Sequence, residues 1–195
     1  MLQKTFSKIE IEFRSVFNKK QYVKIQEFLN KNAKDLGKDD QDVCFFLLSD
    51  RIVKVANKVS KNVAKIVIKL NRLGRGSSDF EEIEIPINPS DFNRAVKLFS
   101  SLPFDQIQNI YQKRHNYEYK GVELALKYTE SWGYHMELEI VIDDRFKKEE
   151  AEEKIKKVAK ELGIKIMSEQ EIGDFAKKID RQYKKAYTIK QNESS

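Results

Sequence analysis

The chain has 195 residues, 40% hydrophobic and 35% charged, with 37 Lys and Arg against 31 Asp and Glu for a formal net charge of +6. That composition is too apolar for a disordered chain, and the length suits one sizeable core carrying an appendage. A single cysteine, Cys44, excludes an internal disulfide and a thiolate zinc site, and no stretch reaches the ~20 apolar residues of a bilayer span. With no signal-peptide-like opening, a cytoplasmic protein with no membrane partner is expected. The two signs of charge are interspersed, with neither a basic arm nor an aromatic RNA-binding signature, so nucleic acid is not the expected partner. The cation excess equally suits small polyanions.

The first element is a strand. Residues 8–14 read Lys-Ile-Glu-Ile-Glu-Phe-Arg, a period of two that puts Ile9, Ile11 and Phe13 on one face and Lys8, Glu10, Glu12 and Arg14 on the other. Helical spacing then predicts a helix over 19–36, with Gly37 as its stop. Strands are expected at 43–48 and 51–55, joined by Ser49-Asp50, with Cys44 buried between Val43 and Phe45. A second hairpin pairs 64–70 with 80–87 across a Gly- and Ser-rich loop. Pro89-Ser90-Asp91 opens a helix reaching about residue 101, with Phe92, Val96 and Phe99 as its buried stripe and Pro103 ending it.

Strands at 107–119, 122–129 and 134–143 follow, separated by Lys120-Gly121 and Ser131-Trp132-Gly133. About eight strands joined mostly by short turns, with two inserted helices, predict a mainly β, α+β fold: an antiparallel barrel or strongly curled sheet. The last fifty residues change character. A charged amphipathic helix over 147–162 carries Ala151, Ile155, Val158 and Leu162 on one face and stops at Gly163. After a short extended link, Ser168 and Glu171 form a capping box for a last helix reaching about residue 187. The expected organisation is a barrel over 1–145 and a helical extension over 146–195 packed on it.

The polar faces of the strands are dense with charge. Lys65, Val67 and Lys69 oppose Ile66, Ile68 and Leu70. Glu82 and Glu84 oppose Ile83 and Ile85. His135, Glu137 and Glu139 oppose Met136, Leu138 and Ile140. Such alternation alone fits an ordinary half-buried sheet with a solvated face. Carboxylates at i and i+2 stand ~7 Å apart on one pleat, however, which is costly unless a cation lies between them. If the charged faces turn inward, the lumen can hold a divalent metal on carboxylates and a polyphosphate on Lys and Arg.

These residues resemble the CYTH family, the triphosphate tunnel metalloenzymes. Glu10-x-Glu12-x-Arg14 is similar to the family's Glu-x-Glu-x-Lys opening, Arg51 falls near its arginine-bearing strand, and Lys69 is similar to its phosphate-binding lysine. Glu82-Ile83-Glu84 looks like the middle acidic pair, Arg114 matches the basic strand, and Gly133 through Glu139 resembles the closing Gly-x-x-x-Glu-x-Glu. The resemblance covers about residues 8–142. It implies an eight-stranded tunnel, a triphosphate-containing small molecule as substrate, and Mg²⁺ or Mn²⁺ as cofactor. It further implies phosphate binding by Arg14, Arg51, Lys65, Lys69, Arg114 and Lys127, and metal binding by Glu10, Glu12, Glu82, Glu84, Glu137 and Glu139. Lys65, Lys69 and the tunnel carboxylates are the catalytic candidates. The reaction expected is hydrolysis of tripolyphosphate, a nucleoside triphosphate or thiamine triphosphate. Alternatives are cyclisation of ATP to cyclic AMP and pyrophosphate, or binding without turnover; an RNA 5′-triphosphate and a homodimer stay open. The chain departs from the family pattern at Arg14, Val53 and Gln112, and above all at Lys127, where an aspartate is frequent and which Glu123 partly compensates.

Overall fold

The computed structural model describes residues 9–70 and 79–193. Nine strands and four helices succeed one another: β1 (Ile9–Phe17), α1 (Lys19–Asn32), β2 (Lys34–Lys38), β3 (Gln41–Leu47), β4 (Ile52–Lys58), β5 (Val63–Lys69), β6 (Asp79–Ile87), α2 (Phe92–Ser100), β7 (Gln106–Tyr119), β8 (Val122–Thr129), β9 (Gly133–Ile142), α3 (Lys148–Glu161) and α4 (Glu169–Glu193). The hairpin loop expected before β6 lies mostly outside the described residues. No described helix is long and apolar enough to cross a membrane.

Every pairing is antiparallel, and the order closes on itself. From β3 the ladder passes through β4, β5, β6, β1, β9 and β8 to β7. The 14-residue β7 then takes β8 along one edge and β2 and β3, end to end, along the other. Counted that way, β2 and β3 are two halves of one bent strand, and the sheet is an eight-stranded barrel. The bend is held at its middle, where the Asp39 amide donates to the Arg114 carbonyl at 2.9 Å and the Arg114 amide donates to the Asp40 carboxylate at 2.8 Å. Closure leaves no free edge along most of the ring.

One expected boundary is corrected here. Helix α1 ends at Asn32 rather than running to Gly37, because the unpaired edge of β7 at His115–Glu118 takes residues 34–38 as a strand. Gly37, at φ +84°, closes a bulge between Asp35 and Gly37, where its amide donates to the Asp35 side chain at 2.6 Å. The apolar spacing of 33–36 is helical, but a ladder of backbone hydrogen bonds outweighs so weak a local preference.

The barrel is inside-out by the standard of soluble proteins. Ile9, Ile11, Leu124, Leu126, Met136 and Leu138 face outward and form one core with Ile25 and Leu29 of α1 and Ala151, Ile155 and Val158 of α3. A smaller core lies beneath α2, where Phe46, Val53 and Val55 meet Phe92, Val96, Phe99 and Phe104. Cys44 is buried there, and burial, with Asp42 adding, pushes its thiol up to about 11. Hydrophobic burial, the main favourable term in folding, is therefore spent between barrel wall and helices, leaving the strands' other face free for charge.

Past Gly163, whose φ of +64° ends α3, residues 164–167 run extended, and the Met167 amide donates to the Arg14 carbonyl at 2.8 Å. The Ser168 amide donates to Glu171 and the Glu171 amide to Ser168 Oγ, at 2.8 and 3.2 Å, the reciprocal cap that starts α4. Helix α4 continues beyond the expected end. It lies against β7 where that strand runs past the end of β8: Gln106 and Gln108 donate to the carbonyl and carboxylate of Asp180, and Phe175 packs on Trp132.

Candidate active site

The inward faces converge on one cavity of about 260 Å³. Strand β1 supplies Glu10, Glu12 and Arg14; β4 and β5 supply Lys54, Lys58, Lys65 and Lys69; β6 supplies Glu82; β7 supplies Gln112 and Arg114; β8 and β9 supply Glu123, Lys127, His135, Glu137 and Glu139. Six carboxylates thus share a lumen with seven cationic side chains. A larger hollow, about 470 Å³, lies between α1 and the end of α3, but its lining carries just three charged side chains, Lys20, Lys24 and Glu161, and shares none of these residues. Chemistry rather than volume picks the barrel interior.

One wall is acidic. Register places Glu139 directly opposite Glu12 of β1 and Glu123 of β8, three like charges in a row across adjacent strands. Oxygens of Glu10, Glu12 and Glu139 lie within 4.8 Å of one another. Burial first, then Glu10, Glu12, Glu123 and Glu137, pushes the Glu139 carboxyl up to about 8. Burial raises Glu10 as well, with Lys69 opposing and Glu82 and Glu12 adding. The Lys69 ammonium approaches Glu10 and Glu12 at 3.4 Å and Glu82 at 2.5 Å. Burial alone would lower Lys69, but Glu12, Glu82 and Glu10 hold it above the usual lysine range, so it stays a cation.

The rest of the lining is basic. Glu137 is enclosed by Lys127, with which it forms an ion pair, by Arg14 at 3.3 Å and by Arg114 at 3.9 Å. Burial would raise Glu137, yet Lys127, Arg14 and Arg114 together drive it well below the carboxylate range. Lys127 is pushed down to about 8 by burial, with Arg114 adding and Glu137 opposing. Burial and Lys69 lower Lys54. His135 is pushed down to about 4, chiefly by burial and then by Lys127; its Nδ1 donates to the Gly133 carbonyl at 3.0 Å as a neutral imidazole. Asp39, fully buried behind this wall, accepts from Lys58 at 3.1 Å and from Asn116 at 3.2 Å, and lies 3.7 Å from Arg114. Asn116 in turn accepts from Arg114 Nε at 2.7 Å, so the two cavity cations are held by one anchor.

Of the expected phosphate-binding residues, Arg14, Lys65, Lys69, Arg114 and Lys127 line the cavity. Arg51 does not. It precedes β4 at the hairpin turn, exposed, with Nε donating to Asp50 at 3.0 Å. The inward positions of β4 are Ile52, Lys54 and Lys58, whereas Val53 and Val55 face the outer core. Lys54 and Lys58 were legible in the alternation of β4; anchoring on Arg51 placed the charge on the wrong parity. Of the expected metal ligands, Glu10, Glu12 and Glu139 come together. Glu12 also pairs with Arg14 and Lys69, Glu82 pairs with Lys69 and Lys54, Glu137 with three cations, and Glu84 is exposed and paired with Lys65 outside the lining. Asp39 was not anticipated, since nothing in its sequence context distinguishes it from the exposed Asp42.

The barrel lumen sets a carboxylate cluster, which could hold a metal ion, beside a basic wall. The chain belongs to the CYTH domain family, whose profile matches residues 8–170. A conserved hypothetical protein from Pyrococcus furiosus is similar to it at 27% identity, covering 80% of this chain and 91% of its own, with a TM-score of 0.64. A Pyrococcus horikoshii protein matches at 26% identity, with the same coverages and TM-score. An adenylyl cyclase candidate from Hippeastrum with a dominant triphosphatase activity matches at 17% identity over 82% of this chain and 89% of its own, TM-score 0.56, a likeness of fold alone. Comparison with curated proteins finds no match.

Proposed function

We propose that this chain is a metal-dependent triphosphatase acting on a triphosphate-bearing small molecule. The observation that supports this most strongly is the meeting of Glu10, Glu12 and Glu139 in the cavity that also holds the basic wall. The donor set fits a hard divalent cation: three carboxylates, no sulfur or imidazole among them, and Glu139 without an ion-pair partner among the described residues. Bound there, Mg²⁺ or Mn²⁺ would supply Lewis-acid polarisation of a phosphoryl oxygen. The protein's own side chains do the rest. Arg14, Arg114 and Lys127 on one side and Lys54, Lys58, Lys65 and Lys69 on the other clamp phosphate oxygens and offset charge as the P–O bond breaks. Lys69, flanked by Glu10, Glu12 and Glu82, is placed as a clamp. Asp39 fixes Lys58 and Arg114 before substrate arrives. Membership in the CYTH domain family, together with the triphosphatase activity of the Hippeastrum protein of like fold, supports hydrolysis. The buried lone thiol of Cys44 supports a reducing, cytoplasmic setting.

A second reading, an adenylyl cyclase, draws on one observation. Val43, Phe45, Ile52 and Ile110 share the cavity lining and offer an organic group an apolar surface. Product analysis with tripolyphosphate, ATP and thiamine triphosphate, each with Mg²⁺ or Mn²⁺, separates the two. Orthophosphate release, abolished in Glu10→Ala and Lys69→Ala variants that keep the wild-type circular dichroism, is the expected result. Cyclic AMP with pyrophosphate would transfer the case to the cyclase, and tight binding without turnover would remove the enzyme.

A further inference from the structure

Glu137 and Glu139 leave the same face of β9 two residues apart, into different surroundings. Both oxygens of Glu137 meet cations: Arg14 Nη2 lies 3.3 Å from Oε1, Lys127 Nζ bonds Oε2, and Arg114 Nη1 is 3.9 Å from Oε2. Glu139 has carboxylates opposite it on both neighbouring strands and makes no ion pair or hydrogen bond among the described residues. A metal ion at Glu137 would have to displace Lys127, which is 4% exposed and whose cross-strand neighbours are Arg114 and His135. Three positive groups crowd that one carboxylate, Arg14 also pairing with Glu12 and Arg114 also lying 3.7 Å from Asp39, and a divalent ion added there meets cations in place of free ligand oxygens.

We infer that Lys127 is a built-in cation standing where a second metal could otherwise sit. The cavity takes one divalent ion, on Glu10, Glu12 and Glu139, and Glu137 is a counter-ion to the basic wall instead of a metal ligand. This rests on the reading of the acidic wall as a metal site and adds its stoichiometry and its ligand set. Phosphate oxygens near Glu137 are then held by Lys127, Arg14 and Arg114 directly, with no metal between.

Mn²⁺ titration of the full chain without substrate, following free Mn²⁺ by electron paramagnetic resonance, tests this. The wild type is expected to bind one ion. Glu139→Gln should weaken it by well over about 10-fold, because even outer-shell partners are worth that much. Glu137→Gln removes no ligand, only a partner of Arg14, which also pairs with Glu12; it should keep one ion and weaken it far less than Glu139→Gln does. Lys127→Met, which removes the cation bonded to Glu137 Oε2 and leaves Arg14 on Oε1, should admit a second, weaker ion. Two ions in the wild type, or a Glu137→Gln variant that loses its ion as Glu139→Gln does while retaining native circular dichroism, would overturn the inference and leave the metal site standing. A wild type that binds no Mn²⁺ would remove both. The Glu137→Gln comparison carries the test if Lys127→Met does not fold.

Discussion

Leu138 and Glu139 are consecutive residues of β9, and they serve opposite sides of the barrel wall. Leu138 is fully buried in the core shared with α1 and α3, whereas Glu139 faces the lumen among other carboxylates. The outer face is where this fold draws its stability: apolar area removed from water contributes ~25 cal/mol per Å² whatever its orientation. The inner face does the reverse. Like charges held together and partly desolvated cost free energy, and the outer core offsets that cost. Substitutions on the two faces should therefore separate folding from chemistry.

The largest effect expected is on the inner face. Glu139→Gln should lower metal-dependent turnover by roughly 10³-fold, about 4 kcal/mol of transition-state stabilisation, while the melting temperature of the metal-free protein stays level or rises. A parallel fall in both quantities would blur the division. On the outer face, Leu138→Ala should cost about 2–5 kcal/mol by denaturant unfolding and leave Mn²⁺ affinity of the folded protein unchanged.

The pH response sharpens the contrast. The folded-state pKa of Glu139 is raised to about 8, so between the usual carboxylate range and pH 8 the native state holds a proton that the unfolded chain has released. Its contribution to stability is full below the unfolded pKa and is lost as pH rises through about 8. Metal-free wild type should thus melt progressively lower from about pH 5 to pH 8, and Glu139→Gln should flatten that slope. Glu137 behaves oppositely: held low by Lys127, Arg14 and Arg114, its contribution is present above the carboxylate range and is lost only in acid. The smallest effect belongs to Arg51→Ala, expected to change turnover less than about twofold and stability by less than about 0.5 kcal/mol, since its pair with Asp50 is exposed at a turn. A large loss of turnover there would return Arg51 to the site.

Much of this architecture could be read from residue order. The alternation in Ile9–Phe13, Met136–Ile140 and Ile66–Ile68 assigned one apolar and one charged face to each strand, because a period of two leaves no third option. Hairpin turns were marked by residues that tolerate positive φ, as at Lys120-Gly121, where φ is +52° and +69°. The reciprocal cap of Ser168 and Glu171 was local enough to be legible as well. Arg51 shows the limit of such reading: a shift of one residue exchanges inside for outside, and the correct phase depended on where the β3–β4 turn ends. Gly37 shows another, since the pull of β7's open edge on residues 34–38 comes from eighty residues away.

Pattern along the chain thus specified strands, their two-faced character and the residue types that would be brought together. Which way the charged faces turned, that β7 joins β8 to β3 and closes the ring, and that Glu139 meets Glu12 while Glu137 meets Lys127 were settled by long-range pairing. The physical reason is that periodicity is a property of neighbouring residues, whereas the sign of the field at a carboxylate depends on groups that only closure of the sheet brings within a few ångströms.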